Sequence, residues 1–321
     1  MPLALRVTRP LALLLLAGAV SLRADEAVRA AVTKALPFVE SRGKAWIEKR
    51  GCVSCHQVPS MLRSLGAAGA RGFTVPRPYL ETTLEWSTHW ERWTNQGADA
   101  GRSTAESSNV DTMTALLLAG TGTTDADWAR GFRRTLLGLQ QPDGSWKPGG
   151  QLPLQNRPVR EQKEVTTLWA VLALRTDPSA SEAVGRARKF LEGASPAVTV
   201  ERLALELVLA CEDGRPREAE VARLVAVQSA AGGWPWKLGA KPDAYGTGLA
   251  LEALARAGLA VDHPAVAKGR TFLLSSQNAD GSWSVPGTRT KDAAKVKPTA
   301  TDWGTAWAVI GLVAFMPETK R

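Results

Sequence analysis

The chain has 321 residues but only 3 Cys, 3 His, 2 Tyr and 4 Met. Three cysteines cannot build a disulfide framework. With few sulfur and imidazole groups, any cluster of them is conspicuous. Beyond the first 24 residues no apolar run is long enough to span a bilayer. Lys and Arg are dispersed rather than collected into a stripe, and no nucleic-acid motif occurs, so nucleic-acid binding is not expected. The 44% apolar and 22% charged residues fit a folded chain and exclude a disordered or collagen-like one.

Residues 1–24 read as a secretory signal peptide. Arg6 and Arg9 form the positive start, Leu11 to Leu22 the apolar stretch, and Ala17-Gly18-Ala19 and Leu22-Arg23-Ala24 offer small-residue cleavage sites. Cleavage after Ala24 lowers the net charge from +9 to +6 by removing three arginines. Residues 25–321 are then expected as one domain, exported to a periplasm or its equivalent.

Against these scarcities stand 12 Trp. Three of them mark an internal repeat: Gln140-Gln-Pro-Asp-Gly-Ser-Trp146, Gln228-Ser-Ala-Ala-Gly-Gly-Trp234 and Gln277-Asn-Ala-Asp-Gly-Ser-Trp283. Each follows a half-polar helical run and precedes, after a loop, a run that is apolar all round, such as residues 166–174, 246–254 and 303–311. Helices apolar on every side are buried; half-polar ones lie outside them. This alternation predicts six outer helices near 28–50, 77–94, 125–139, 180–193, 216–227 and 264–276. Their inner partners are predicted near 58–68, 108–120, 163–175, 199–211, 243–257 and 301–315. In each repeat the Trp is expected to lie back over the preceding helix end, and the Gln amide to reach backbone groups left unpaired there.

The repeat resembles the QW motif of squalene–hopene cyclases and their relatives, which include protein prenyltransferase β subunits. The motif's longer form, Lys/Arg-Gly/Ala-x-x-aromatic-aliphatic-x-x-x-Gln, is matched by Lys268, Gly269, Phe272, Leu273 and Gln277. The resemblance covers most of residues 25–321 and implies an all-α fold, the α/α toroid.

The main chemical signal is Gly51-Cys52-Val53-Ser54-Cys55-His56-Gln57. Cys-x-x-Cys-His reads as attachment of one covalent haem c. Cys52 and Cys55 would add to the haem vinyl groups, and His56 would be the proximal iron ligand. Such attachment takes place outside the cytoplasm, in keeping with the signal peptide. Two other readings stay open, a Cys52–Cys55 disulfide and a zinc site; the latter has no second Cys/His pair at ligand spacing. Upstream, Arg42-Gly43-Lys-Ala-Trp46-Ile47 follows the long repeat pattern, so the haem motif stands in the first repeat's own loop. His89, Met61 and Met113 are the candidates for the sixth iron ligand. His89 is preferred because Trp86, Trp90 and Trp93 surround it. Residues 94–109 read as a polar loop, and Cys211 as a buried core thiol.

The resemblance also suggests enzymes, but the residues do not follow. The Asp-x-Asp-Asp acid of the cyclases is absent, Asp125-Ala-Asp127 being the nearest fragment. Cys211 and His263 lack the zinc-ligand contexts of the prenyltransferases. Asp111, Glu164, Glu201, Asp243 and Asp302 recur near inner-helix starts, as caps or as a polar mouth. A central cavity lined by Trp169, Tyr245, Trp303 and Trp307, with Asp243 and Asp302 at its mouth, could take an isoprenoid or quinone-like ligand. The sequence thus points first to electron transfer or redox sensing with a redox partner protein. A terpenoid- or lipid-binding toroid and a repeat scaffold are the alternatives.

Overall fold

The computed structural model describes residues 9–54, 57–96, 101, 109–120, 126–149, 156–289 and 295–319, with side chains from Asp25 onward. Among these, twelve α-helices follow one another: α1 (Arg9–Arg50), α2 (Val58–Gly69), α3 (Arg77–Ser87), α4 (Val110–Ala119), α5 (Asp127–Gly138), α6 (Val159–Leu174), α7 (Ser181–Glu192), α8 (Val200–Glu212), α9 (Glu218–Ala226), α10 (Ala244–Arg256), α11 (Pro264–Ser276) and α12 (Pro298–Val313). Two isolated bridges, Thr199–Lys237 and Pro286–Val296, are the β pairing seen among the described residues. No helix among them is long and apolar enough to cross a membrane.

The even-numbered helices form the inner ring. Each packs on the next from α2 to α12, and α12 packs back on α2. The odd-numbered helices lie outside. The sequence explains the division. Every residue of α12 from Ala300 to Val313 is buried, whereas α7 buries only Ala183, Val184 and Ala187. The tightest inner contact is α10 against α12. A Cβ on Gly248 would stand 2.2 Å from the Trp307 carbonyl oxygen, and one on Gly311 2.7 Å from that of Gly248. The fold is the α/α toroid.

The three Gln–Trp repeats adopt one geometry. The indoles of Trp146, Trp234 and Trp283 are fully buried. Each donates its Nε1–H to a carbonyl ten residues upstream in the preceding outer helix, at Leu136 (2.7 Å), Leu224 (2.8 Å) and Leu273 (2.7 Å). Each backbone N–H is received by an inner-helix threonine: Thr167, Thr247 and Thr305. The Gln amides donate twice, to the turn glycine's carbonyl and to a carbonyl of the next outer helix, at Ala183 and Ala265 in first turns and at Ala31 in the middle of α1. The turn glycines Gly144, Gly232 and Gly281 have φ of +85°, +90° and +87°, which side chains disfavour. A Cβ there would also strike the next helix's backbone, 2.2 Å from the Lys34 carbonyl oxygen in the case of Gly281. Gln277 therefore joins the last repeat to α1 and closes the ring. Arg270 supports the closure by donating to Asp25 at 2.9 Å.

Two elements differ from expectation. Helix α1 runs back to Arg9 instead of starting near residue 28, because the Leu- and Ala-rich stretch after Arg9 has high helix propensity. The signal-peptide reading of residues 1–24 falls outside the described side chains. Helix α3 stops at Ser87 and a 3₁₀ turn, Trp90–Arg92, follows. The Thr88 hydroxyl (2.9 Å) and the His89 ring (2.6 Å) both engage the Glu85 carbonyl oxygen, competing with the helix backbone.

Candidate functional site

The cysteine motif occupies the α1–α2 junction. Helix α1 ends in a left-handed glycine cap: Gly51 has φ +59°, and its N–H donates to the Ile47 carbonyl at 2.8 Å. A strap from residues 94–96 runs across this cap. Thr94 N–H donates to the Gly51 carbonyl at 2.8 Å and Gln96 N–H to that of Arg50 at 2.6 Å. A Cβ on Gly51 would stand 2.0 Å from Thr94 Oγ1. Cys52 and Val53 are buried behind the strap. Cys55 and His56 lie outside the described residues, as does most of the expected 94–109 loop.

The strap joins the motif to the aromatic cluster. Trp93 is buried, and its Nε1–H has no acceptor among the described residues. Its ring lies 6.4 Å from that of Trp86, while Trp90 stacks on Phe132 at 5.2 Å. His89 is partly exposed, and its Nδ1 is the atom held by the Glu85 carbonyl. Met61 and Met113 are fully buried. Met61 packs its sulfur onto Gly43 of α1, where a Cβ would meet it at 2.2 Å.

On the far side of the motif, Gln57 donates to Asp302 Oδ2 at 2.9 Å. The same carboxylate receives Arg42 through Nε (2.7 Å) and Nη2 (3.0 Å). This pairing lifts the Arg42 pKa through the hydrogen bond to Asp302. Asp302 therefore lines a pocket beside the cysteine motif, not the central cavity expected for it.

The central cavity is a second site, about 550 Å³ including its open mouth. Trp169, Trp303 and Trp307 line it as expected, together with Arg63, Asp111 and Glu201. Tyr245 stands behind this wall, 4.5 Å from the Trp303 ring and 6.4 Å from that of Trp307. Its buried hydroxyl lies beside Glu201 without a formed hydrogen bond. Burial first, then the Glu201 charge, pushes its pKa well above the phenol range. Glu201 accepts from Trp169 Nε1 at 2.9 Å and pairs with the buried Arg157. Asp111 accepts from Gly149 N–H and the Thr166 hydroxyl.

Arg63 is the residue that sequence reasoning missed. Its guanidinium lies over Trp307 at 4.7 Å and Trp169 at 5.4 Å and reaches Glu252 at 3.2 Å. Burial pulls its pKa down, while Glu252 opposes that. The signal was available, since Arg63 is a lone cation within the apolar run Pro59–Leu65.

The remaining acids are structural rather than a shared mouth. Asp243 caps α10 and accepts from Gly246 N–H and Trp236 N–H, both at 2.8 Å. Its carboxylate is used up at the loop and does not reach the cavity, which corrects the expected lining. Glu164 accepts from Ser195 N–H and pairs with Arg160 and Arg202. Cys211 is half-buried in the last turn of α8, not a core thiol, and burial raises its pKa.

Burial pushes the Asp243 carboxyl from 3.8 up to about 6, against the backbone N–H groups of Gly246, Trp236 and Tyr245. A raised carboxyl pKa means that the fold favours the neutral form. The group's contribution is thus fully present below about pH 4 and is lost as pH rises through about 6. Between pH 4 and pH 8 this amounts to roughly 2 kcal/mol, at about 1.4 kcal/mol per pH unit. Urea unfolding of the wild type and Asp243→Asn at both pH values checks it. The stability difference should move in the variant's favour as pH rises; a pH-independent difference would refute the assignment.

The comparisons agree with this architecture. Residues 194–320 match the family model of the squalene-hopene cyclase C-terminal domain. Among curated proteins none matches the chain. The type II terpene cyclase MstE from Scytonema, in complex with geranylgeranyl dihydroxybenzoate, superimposes with a TM-score of 0.58 at 14% identity, over 91% of this chain and 97% of that one. The same cyclase without ligand gives 0.53 at 16% identity, over 90% and 98%. A family 88 glycosyl hydrolase from Bacteroides vulgatus gives 0.54 at 14% identity, over 90% and 98%. At such identities the likeness is one of fold: the chain is a cyclase-like α/α toroid whose C-terminal part resembles the squalene–hopene cyclase domain.

Proposed function

We propose that the protein carries one covalent haem c and works outside the cytoplasm in one-electron transfer. Cys52 and Cys55 hold the haem by thioether bonds and His56 is the proximal ligand. The observation that carries this reading is the motif's position. Cys-x-x-Cys-His stands at an outer-to-inner junction, where the Gln–Trp staple stands in three other repeats. The surroundings fit the group. Trp86 and Trp93 provide an apolar aromatic flank, and the buried Trp93 Nε1–H is a donor without an acceptor among the described residues. Of the candidate sixth ligands, His89 is the partly exposed one, just before the turn that leads to the strap, with Nδ1 engaged by the Glu85 carbonyl. Met61 and Met113 are committed to packing. When bound, the haem supplies an Fe(III)/Fe(II) couple, and the chain's own groups set its exposure and charge environment.

Export with c-type haem maturation machinery tests the reading. The purified protein should show haem absorbance that survives denaturation and acid extraction, and Cys52→Ala should lose one thioether link. A colourless wild-type protein would sink the proposal.

A second reading is favoured by the cavity. The wall of Trp169, Trp303 and Trp307, with Arg63 across it, suits an apolar ligand of terpenoid or lipid type. The structural neighbour MstE is seen with such a molecule. Quenching of tryptophan fluorescence by a geranylgeranyl compound, lost in Trp307→Ala, would support it. Absence of quenching would count against it.

A further inference from the structure

Arg63 carries a charge that the fold matches only in part. It stands in the second turn of α2, away from either end, so the helix dipole does not account for it. Its guanidinium begins an ionic chain that runs through the C-terminal ends of α10, α8 and α6: Arg63, Glu252, Arg256, Glu212, Arg175. Three cations in this chain face two anions. The Glu252 oxygen that Arg63 reaches at 3.2 Å is held more closely, at 2.6 Å, by Arg256. The other N–H groups of Arg63 have no acceptor among the described residues, and 20% of the side chain stays open. Burial opposes its charge, Glu252 supports it and Arg256 opposes it again. Two cavities meet at this residue. The central one and a second of about 370 Å³, including open space, share Arg63, Leu118 and Trp169 in their walls. Thr114 also lines the central cavity, and its buried hydroxyl has no partner among the described residues.

Resting on the cavity reading above, we infer that the central cavity selects an amphiphile with a single carboxylate head. The head sits on Arg63, with the Thr114 hydroxyl as a further donor, and the apolar body lies along the tryptophan wall. A desolvated cation with donors to spare favours an anion, and a guanidinium presents a carboxylate with paired N–H groups. One surplus charge suits one carboxylate, whereas a diphosphate would bring more negative charge than the chain leaves unmatched. The acids on the wall do not take this place. Glu201 is committed to Arg157 and Trp169, and Asp111 to Gly149 and Thr166. A cationic ligand is disfavoured, because Arg63 already lies over the Trp307 and Trp169 rings. The cavity's choice is therefore between neutral and acidic ligands, and Arg63 makes it.

The test follows tryptophan fluorescence of the full chain at neutral pH during titration with geranylgeranic acid, its methyl ester and geranylgeraniol. The acid should bind at least about tenfold more tightly than the ester or the alcohol, the difference that a hydrogen bond to a charged group makes. Arg63→Gln should erase that preference while the ester binds as before, and Arg63→Lys should keep part of it. Glu252→Gln removes the acid that competes for Arg63, so it should tighten binding of the acid and leave the ester unchanged; damage to the fold would weaken both alike. Equal affinity of the wild type for the three compounds overturns the inference and leaves the cavity reading standing. A preference that survives Arg63→Gln overturns it as well. Failure of all three to bind overturns the cavity reading itself, and the inference with it. The wild-type comparison needs no variant, so an Arg63→Gln protein that does not fold still leaves the matter decided.

Discussion

Trp283→Ala should destabilise the protein by about 3–5 kcal/mol, because it empties the space of a fully buried indole. It also strips the Leu273 carbonyl of its 2.7 Å donor, adding about 1 kcal/mol. Domain stabilities are only about 5–15 kcal/mol, so the variant should be close to unfolding at physiological temperature. Trp283→Phe separates the two contributions, since it retains most of the ring packing and loses the N–H. Its cost should be under half that of the alanine variant. Denaturant unfolding of both variants is the measurement. A loss below about 1 kcal/mol for Trp283→Ala would mean that the indole is not the staple described here.

Glu201→Ala should be comparably severe for a different reason. The Arg157 and Glu201 side chains are 0% and 1% exposed, and Glu201 also receives Trp169 Nε1–H. Deleting the carboxylate leaves a guanidinium in a nearly dry site with its counter-charge gone, a change that typically costs about 3–5 kcal/mol. Glu201→Gln keeps an acceptor for Trp169 and should be milder. Replacing both members of the pair by leucine should recover much of the loss, since an apolar pair needs no desolvated charges. A double-mutant cycle in urea gives the coupling. If Glu201→Ala and Arg157→Leu simply add, the pair is not coupled and the prediction fails.

The repeat grammar was legible because it is local. Gln140, Gly144 and Trp146 sit within seven residues, and the same spacing at Gln277, Gly281 and Trp283 implies the same turn. The inner and outer helices followed from apolar periodicity and, apart from the start of α1 and the end of α3, lie within a few residues of their expected positions. What could not be read was the direction of individual polar side chains. Asp243 and Asp302 both sit at inner-helix starts, yet one turns to the amides of Gly246 and Trp236 and the other to Arg42 and Gln57. Asp243 makes a local cap, but Arg42 and Gln57 lie 260 and 245 residues from Asp302, so no local pattern reveals which of the two acids turns away from its own loop. Arg63 was passed over because an apolar run reads as core, although one cation within such a run must face something that accepts it. Helix α3 ended early because Thr88 and His89 bond back to Glu85, a side-chain competition that periodicity does not register.

The three Gln staples differ in how far apart along the chain their ends lie. Gln140 and Gln228 reach carbonyls 43 and 37 residues ahead, whereas Gln277 reaches back 246 residues to Ala31. The first two can form as soon as the next helix has emerged during synthesis. The third must wait for nearly the whole polypeptide, and bringing such distant partners together is the slow kind of step in folding. Before then the structure is an open arc, with the inner faces of its first and last helices bare. Premature association of arcs, with one molecule's Gln277 closing on another's Ala31, is therefore this architecture's natural route to domain-swapped assemblies.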